Sequence, residues 1–180
     1  GTATDTATLI ITVTGVNDTP VGVNDTGYIK EGGTLTVTDG GSAVSGTSTG
    51  SNTGDITDND TDADASSSAT ITSITATTAG GSAQTTFSSN SETVTGQYGT
   101  LTINSNGSYS YVANSNISGL DAGDANVTDV FTYTVSDGTA STITTLTINV
   151  IASQNLTARN DTGTVNEDAR LDVDDGYNAT

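Results

Sequence analysis

The sequence predicts an all-β fold, an antiparallel sandwich of two packed sheets. First, β-branched residues dominate: Val, Ile and Thr together number 64 of 180 residues, and such side chains suit a pleated strand better than a helix. Second, apolar residues alternate with threonine in short bursts, the period of a half-buried strand. Third, Gly, Asn and Asp fill the intervals between bursts, which is turn chemistry. No stretch of useful length shows helical spacing with start and stop signals. One observation opposes a folded core. Leu, Ile, Val and Phe number 34, or 19%, beside a formal charge of −18, a composition typical of disordered chains. The alternation decides against disorder, because a random polar chain has no reason to sort its apolar residues onto one face.

The bursts can be taken in chain order. Leu9, Ile11 and Val13 share one face, with Thr8, Ile10, Thr12 and Thr14 on the other. Leu35 and Val37 alternate with Thr34, Thr36 and Thr38. Gly99–Ile103, the turn Asn104-Ser105-Asn106-Gly107 and Ser108–Val112 read as a hairpin, since Asn-Gly tolerates the positive φ of a tight turn. Tyr109 and Tyr111 then share a face and are expected to pack in the core, because aromatics chiefly supply buried area. Phe131, Tyr133 and Val135 precede Asp137-Gly138, and Leu146, Ile148 and Val150 follow, a second hairpin with a longer connection.

Composition also narrows function. Lys and Arg number 3 against 21 Asp and Glu, so no cationic face exists to meet phosphate and no nucleic-acid partner is expected. The absence of His and Cys removes zinc, haem, thiol and His-based triad chemistry. No apolar run approaches the roughly 20 residues of a membrane span, so no membrane insertion is expected. Catalysis is not expected either. Glu31 and Glu92 are the only Glu residues before Glu167, there is no Trp, and Ser or Thr would lack a base. Lys30, the single lysine, reads as an edge-strand charge rather than a crosslinking partner.

An internal repeat organises the chain. Asn24-Asp25-Thr26-Gly27 returns as Asn160-Asp161-Thr162-Gly163, Glu31 as Glu167, Leu35 and Val37 as Leu171 and Val173, and Asp39-Gly40 as Asp175-Gly176. The offset is 136, becoming 137 before the junction, where Val13 matches Val150 and Gly1 matches Gly138. This phase predicts that residues 1–15 are the last strand of a preceding repeat, or a donor strand. Residues 16–153 form one complete repeat, and residues 154–180 begin the next. The chain is then a window on a tandem array, cut out of phase.

Three segments carry a family resemblance: Gln97–Ile103 leading to Asn106–Tyr111, Phe131–Gly138 leading to Leu146–Val150, and the junction Gly15-Val16-Asn17-Asp18-Thr19-Pro20. In this order and spacing they resemble the VCBS and cadherin-like tandem repeats of giant bacterial surface adhesins, including those of the RTX type. The resemblance covers nearly the whole chain. It implies an extracellular, calcium-stabilised, Ig-like or cadherin-like β-sandwich in a long surface or biofilm protein, and no catalysis.

The residues make their own case for Ca²⁺, which takes about six to eight oxygen ligands from carboxylates, amides and carbonyls. The densest cluster runs from Asp55 to Asp64. Asp58, Asp60, Asp62 and Asp64 would all point one way if extended, and four carboxylates on one side repel unless a cation sits among them; a solvated acidic loop is the alternative. It is not an EF-hand, because the Gly and terminal Glu of that loop are missing. A second constellation brackets the only proline: Asn17, Asp18, Asn24, Asp25 and Glu31. These could hold an ion at an inter-domain step or simply make turns. At the next junction Gln154 replaces Asp18 and Leu156 takes the place of Pro20, so weaker metal binding is expected there. The third set is Asp121 and Asp124 with Asp129 and the turn residue Asp137; Asp121 and Asp124 ligate an ion or cap a turn, since both roles use the same oxygen.

The function expected is mechanical. Calcium offsets repulsion among the carboxylates and stiffens a lean sandwich into a rigid spacer at the bacterial surface, with neighbouring repeats as partners and host or matrix ligands beyond them. Two alternatives stand beside it: a head-to-tail filament built by donation of strand 1–14 to a neighbouring subunit, and a glycan-binding module, disfavoured by the shortage of exposed aromatics.

Overall fold

A computed structural model describes residues 1–40, 44–45, 54–64, 69–77, 85–87 and 89–153. The expected start of a further repeat at 154–180 lies outside them. All regular structure among the described residues is strand: β1 (Asp25–Lys30), β2 (Thr34–Val37), β3 (Val44–Ser45), β4 (Thr70–Ala76), β5 (Thr85–Thr86), β6 (Ser91–Thr95), β7 (Gly99–Asn104), β8 (Tyr109–Ala113), β9 (Val127–Ser136) and β10 (Ser141–Ile151). They form two five-stranded sheets, in the orders β1-β10-β9-β4-β5 and β3-β2-β8-β7-β6. The expected sandwich is present.

One pairing departs from the antiparallel rule. β1 runs parallel to β10, with Asp25 opposite Leu146 and Ile29 opposite Val150. A parallel pair needs a long crossover, and here that crossover is nearly the whole domain. The first strand therefore has no sheet neighbour until the last one arrives.

The alternation read from the sequence is the burial pattern of the strands. Ile29, Leu35, Leu101, Ile103, Tyr111, Phe131, Tyr133, Val135, Leu146, Ile148 and Val150 are all fully buried, while threonines face outward between them. Tyr111 meets Phe131 edge to face, with ring centroids 6.2 Å apart, a favoured aromatic geometry. Both hairpin turns are built as their residues require: Gly107 has φ +91° and Gly138 φ +94°, positions a side chain would resist.

Residues 1–20 form no strand, and all but Pro20 are exposed. Leu9, Ile10, Ile11 and Val13 are 74–88% exposed. The alternation there is real, but the segment has no pairing partner among the described residues.

Candidate functional site

The acidic loop coils rather than extends. Asp58 N–H donates to the Asp55 carbonyl (3.1 Å) and Asp60 N–H to the Thr57 carbonyl (3.3 Å). This winding breaks the shared direction expected of Asp58, Asp60, Asp62 and Asp64. Asp58 is exposed, and Asp55 takes an inward place at 1% exposure.

The loop packs over the N-terminal end of β1. Asp25, 1% exposed, receives the Tyr133 hydroxyl on Oδ2 (2.6 Å) and the Asn59 amide on Oδ1 (3.0 Å). Asp55 Oδ1 accepts the Thr57 N–H (2.8 Å) and hydroxyl (2.7 Å). Asp60 Oδ1 accepts the Val23 N–H at 2.7 Å, and Asp62 Oδ1 accepts the Asp64 N–H at 2.8 Å. Asp64 Oδ2 accepts the Asp18 N–H (2.7 Å), and Val21 bridges to Thr61. The loop thus clasps the incoming segment 18–23 through its backbone.

Four side chains of the loop keep one oxygen in reserve. Asp55 Oδ2, Asn59 Oδ1, Asp60 Oδ2 and Asp62 Oδ2 are buried and have no hydrogen-bond partner among the described residues. A buried acceptor left unmade costs about 1–3 kcal/mol, more when charged, so four in one loop need a physical reason. Burial raises Asp55 and Asp60 above the ordinary carboxylate range, against the lowering effect of their hydrogen bonds. Asp60 and Asp62 also line an open cleft with Asp39, Thr57, Thr61, Ala69 and Asn106, so small ions have a path to the loop. Among the described residues, no three acidic side chains are already drawn together tightly enough to grip a metal.

The junction residues divide. Asn17 donates its amide to Asp137 Oδ2 (3.0 Å) and to the Asp18 carbonyl (2.7 Å). Asn24 Oδ1 accepts the hydroxyls of Thr144 and Thr145, each at 2.9 Å. Glu31 sits past the far end of β1, roughly 20 Å from Asp25 by strand rise. There its carboxylate receives the Ser153 hydroxyl (2.7 Å) and Ile117 N–H (3.2 Å). One strand separates Asp25 and Glu31, so they belong to opposite poles.

The third set makes turns. Asp124 Oδ2 accepts the Asp121 N–H at 2.8 Å, and both residues are exposed. Asp137 Oδ1 accepts the N–H groups of Ala140 (2.7 Å) and Thr139 (2.6 Å), and these bonds hold its carboxyl below the usual range.

Two residues are buried anchors, a role the sequence does not assign them: Asp129, which it groups with Asp121 and Asp124, and Tyr133, which it marks only as a core-facing aromatic. Asp129, fully buried, accepts Tyr111 OH (2.7 Å), Gln97 N–H (2.8 Å) and Tyr98 N–H (3.0 Å), tying the β6–β7 turn to the opposite sheet. Tyr133 anchors Asp25 and also donates toward the Ile56 carbonyl (3.1 Å). A signal was present for Asp129: it precedes Phe131 by two, so alternation places it on the core face.

Residues 17–152 match the bacterial cadherin-like domain family. The chain belongs to that family. No curated protein sequence matches it. Bacterial cadherin-like domains are typically structural or adhesive, and calcium is common among them. In this cadherin-like domain no described helix is long and apolar enough to cross a membrane.

Proposed function

We propose that this cadherin-like domain is a calcium-stabilised spacer repeat in a large extracellular adhesin or surface fibre of a bacterium, of the RTX type that the sequence resembles. Its partners are neighbouring repeats, and surface or matrix ligands beyond them. The observation that carries the calcium part is the set of four buried oxygens without partners in one loop. The donors fit the ion: hard carboxylate and amide oxygens, with no Cys or His to favour a softer metal.

Asp55, Asn59, Asp60 and Asp62 would hold Ca²⁺, with modest closing of the loop to bring them together. The ion supplies positive charge where burial otherwise penalises carboxylates. Because Asp60 and Asp64 also hold the backbone of Val23 and Asp18, ordering the loop orders the segment that enters the domain. An ion bound to the folded form alone adds about 2.7 kcal/mol at a hundredfold excess over Kd. In a calcium-poor cytosol the array stays loose; outside, it stiffens.

Calorimetric titration with CaCl₂ and thermal melts in calcium and in EGTA test this. Binding with a raised melting temperature is expected. An identical melt in both, with no titration heat, would remove the calcium role.

A further inference from the structure

We propose that residues 2–14 are the closing strand of a preceding sandwich of the same kind in the same chain, seated between that sandwich's counterparts of β1 and β9. This rests on the tandem-repeat part of the reading above and is independent of calcium.

The fold shows what such a strand does. β10 lies inside its sheet, parallel to β1 on one side and antiparallel to β9 on the other. Its core face is Leu146, Ile148 and Val150, each 0% exposed. At the offset of 137, the counterparts are Leu9, Ile11 and Val13: the same three residue types in the same order. In this structure those three are 82%, 74% and 88% exposed. Thr8 matches Thr145, and Gly1 matches Gly138, whose φ of +94° turns the β9–β10 hairpin. Residues 2–14 thus carry the residue code of a central strand and, among the described residues, none of its pairings.

The geometry of the slot decides whose strand it is. In any copy of this chain the gap between β1 and β9 is already filled by Ser141–Ile151. A second copy therefore offers no vacancy without expelling its own strand, whereas a preceding repeat followed directly by Gly1 ends where β10 should begin. The exit also matches. Ile151 runs through Ala152 to Ser153, fixed by Glu31 at 2.7 Å. At the 136 offset Ser153 corresponds to Asn17, which here reaches Asp137 at 3.0 Å. Position 17 is then the step between adjoining sandwiches.

The test fuses residues 16–137 directly ahead of residues 1–180, so that the leading sandwich can be completed by residues 1–14 alone. Its core residues at three β10 positions are then unchanged in type. Amide hydrogen exchange is read at residues 9–13 in the fusion and in the 180-residue chain. The fusion is expected to slow exchange there by about a hundredfold or more, as a strand with ladder bonds on both sides requires. Ile11→Asp should abolish that protection, while Thr4→Asp, at the counterpart of exposed Ser141, should leave it intact. Fast exchange at 9–13 in the fusion while Ser141–Ile151 remains protected would overturn the proposal. The second sandwich's protection, read with and without EGTA, separates this failure from failure of the repeat fold or of calcium. The 180-residue chain is expected to sediment as a monomer; concentration-dependent oligomers with 9–13 protected would overturn the same-chain assignment.

Discussion

Replacing Asp55 by Asn should shift stability in opposite directions with and without calcium. The side chain is 1% exposed. Its Oδ1 is engaged by Thr57 while its Oδ2 has no partner. Asparagine keeps the Oδ1 contacts and removes the charge. In EGTA the variant loses only an unpaired buried charge, an expensive group, so it should melt above the wild type. In calcium it loses a ligand. At a hundredfold excess over Kd, calcium adds about 2.7 kcal/mol. For a domain of this size 1 kcal/mol moves the melting temperature by about 4 °C, so the wild type should gain about 10 °C. If the variant binds about tenfold more weakly, about 1.4 kcal/mol of that is lost and the gain halves. Differential scanning calorimetry at pH 7 in EGTA and in calcium reads both. A variant that melts lower than wild type by the same amount in both conditions would refute the reasoning, because Asp55 would then be an ordinary structural carboxylate.

Further outcomes follow from the same geometry. Asp55 and Asp60 are raised by burial, so in EGTA their contribution is fullest below the unfolded pKa of 3.8 and is lost as pH rises through their folded values. The calcium-free melting temperature should climb as pH is lowered from 7 toward that window, and saturating calcium should flatten the climb; a calcium-free melt that falls over the same range would count against the buried loop. Asp137 has the opposite sign: its lowered pKa adds stability above 3.8 that is lost only as pH falls through its folded value. Asp129→Ala strands three donors and should cost about 3–5 kcal/mol in urea unfolding, against about 1 kcal/mol for Tyr111→Phe, which leaves the carboxylate two partners. Equal costs would show that the backbone bonds of Asp129 contribute nothing. Gly107→Ala combines a positive φ of +91° with a methyl directed at Asp55 Oδ1. It should destabilise the domain and weaken calcium binding together, whereas Gly138→Ala, with open space around it, should affect stability alone.

Local signals were legible in the sequence. Asn106-Gly107 and Asp137-Gly138 turn where the residues require it, and strands such as Phe131–Val135 bury the face their alternation marks. The acidic loop was legible as a composition and misleading as a geometry. Alternate aspartates face together only in an extended chain, and the Asp58 and Asp60 amides bond back to Asp55 and Thr57 instead. Glu31 looked like a companion of Asp25 because six residues are few in sequence, yet those six form a strand and hold the two apart. The parallel β1–β10 pair left no local mark, since its partners are about 120 residues apart.

By itself, the sequence determined that this chain is a Thr-clad β-sandwich repeat with more carboxylates than it can neutralise, because period, turn residues and charge are properties of neighbours along the chain. The tertiary structure alone decided which oxygens are buried without partners, that Asp129 and Tyr133 anchor the loops, and that residues 2–14 stand apart while β10 fills their counterpart's slot. Those are consequences of which distant strands pack together, and contact across a core depends on the folded whole.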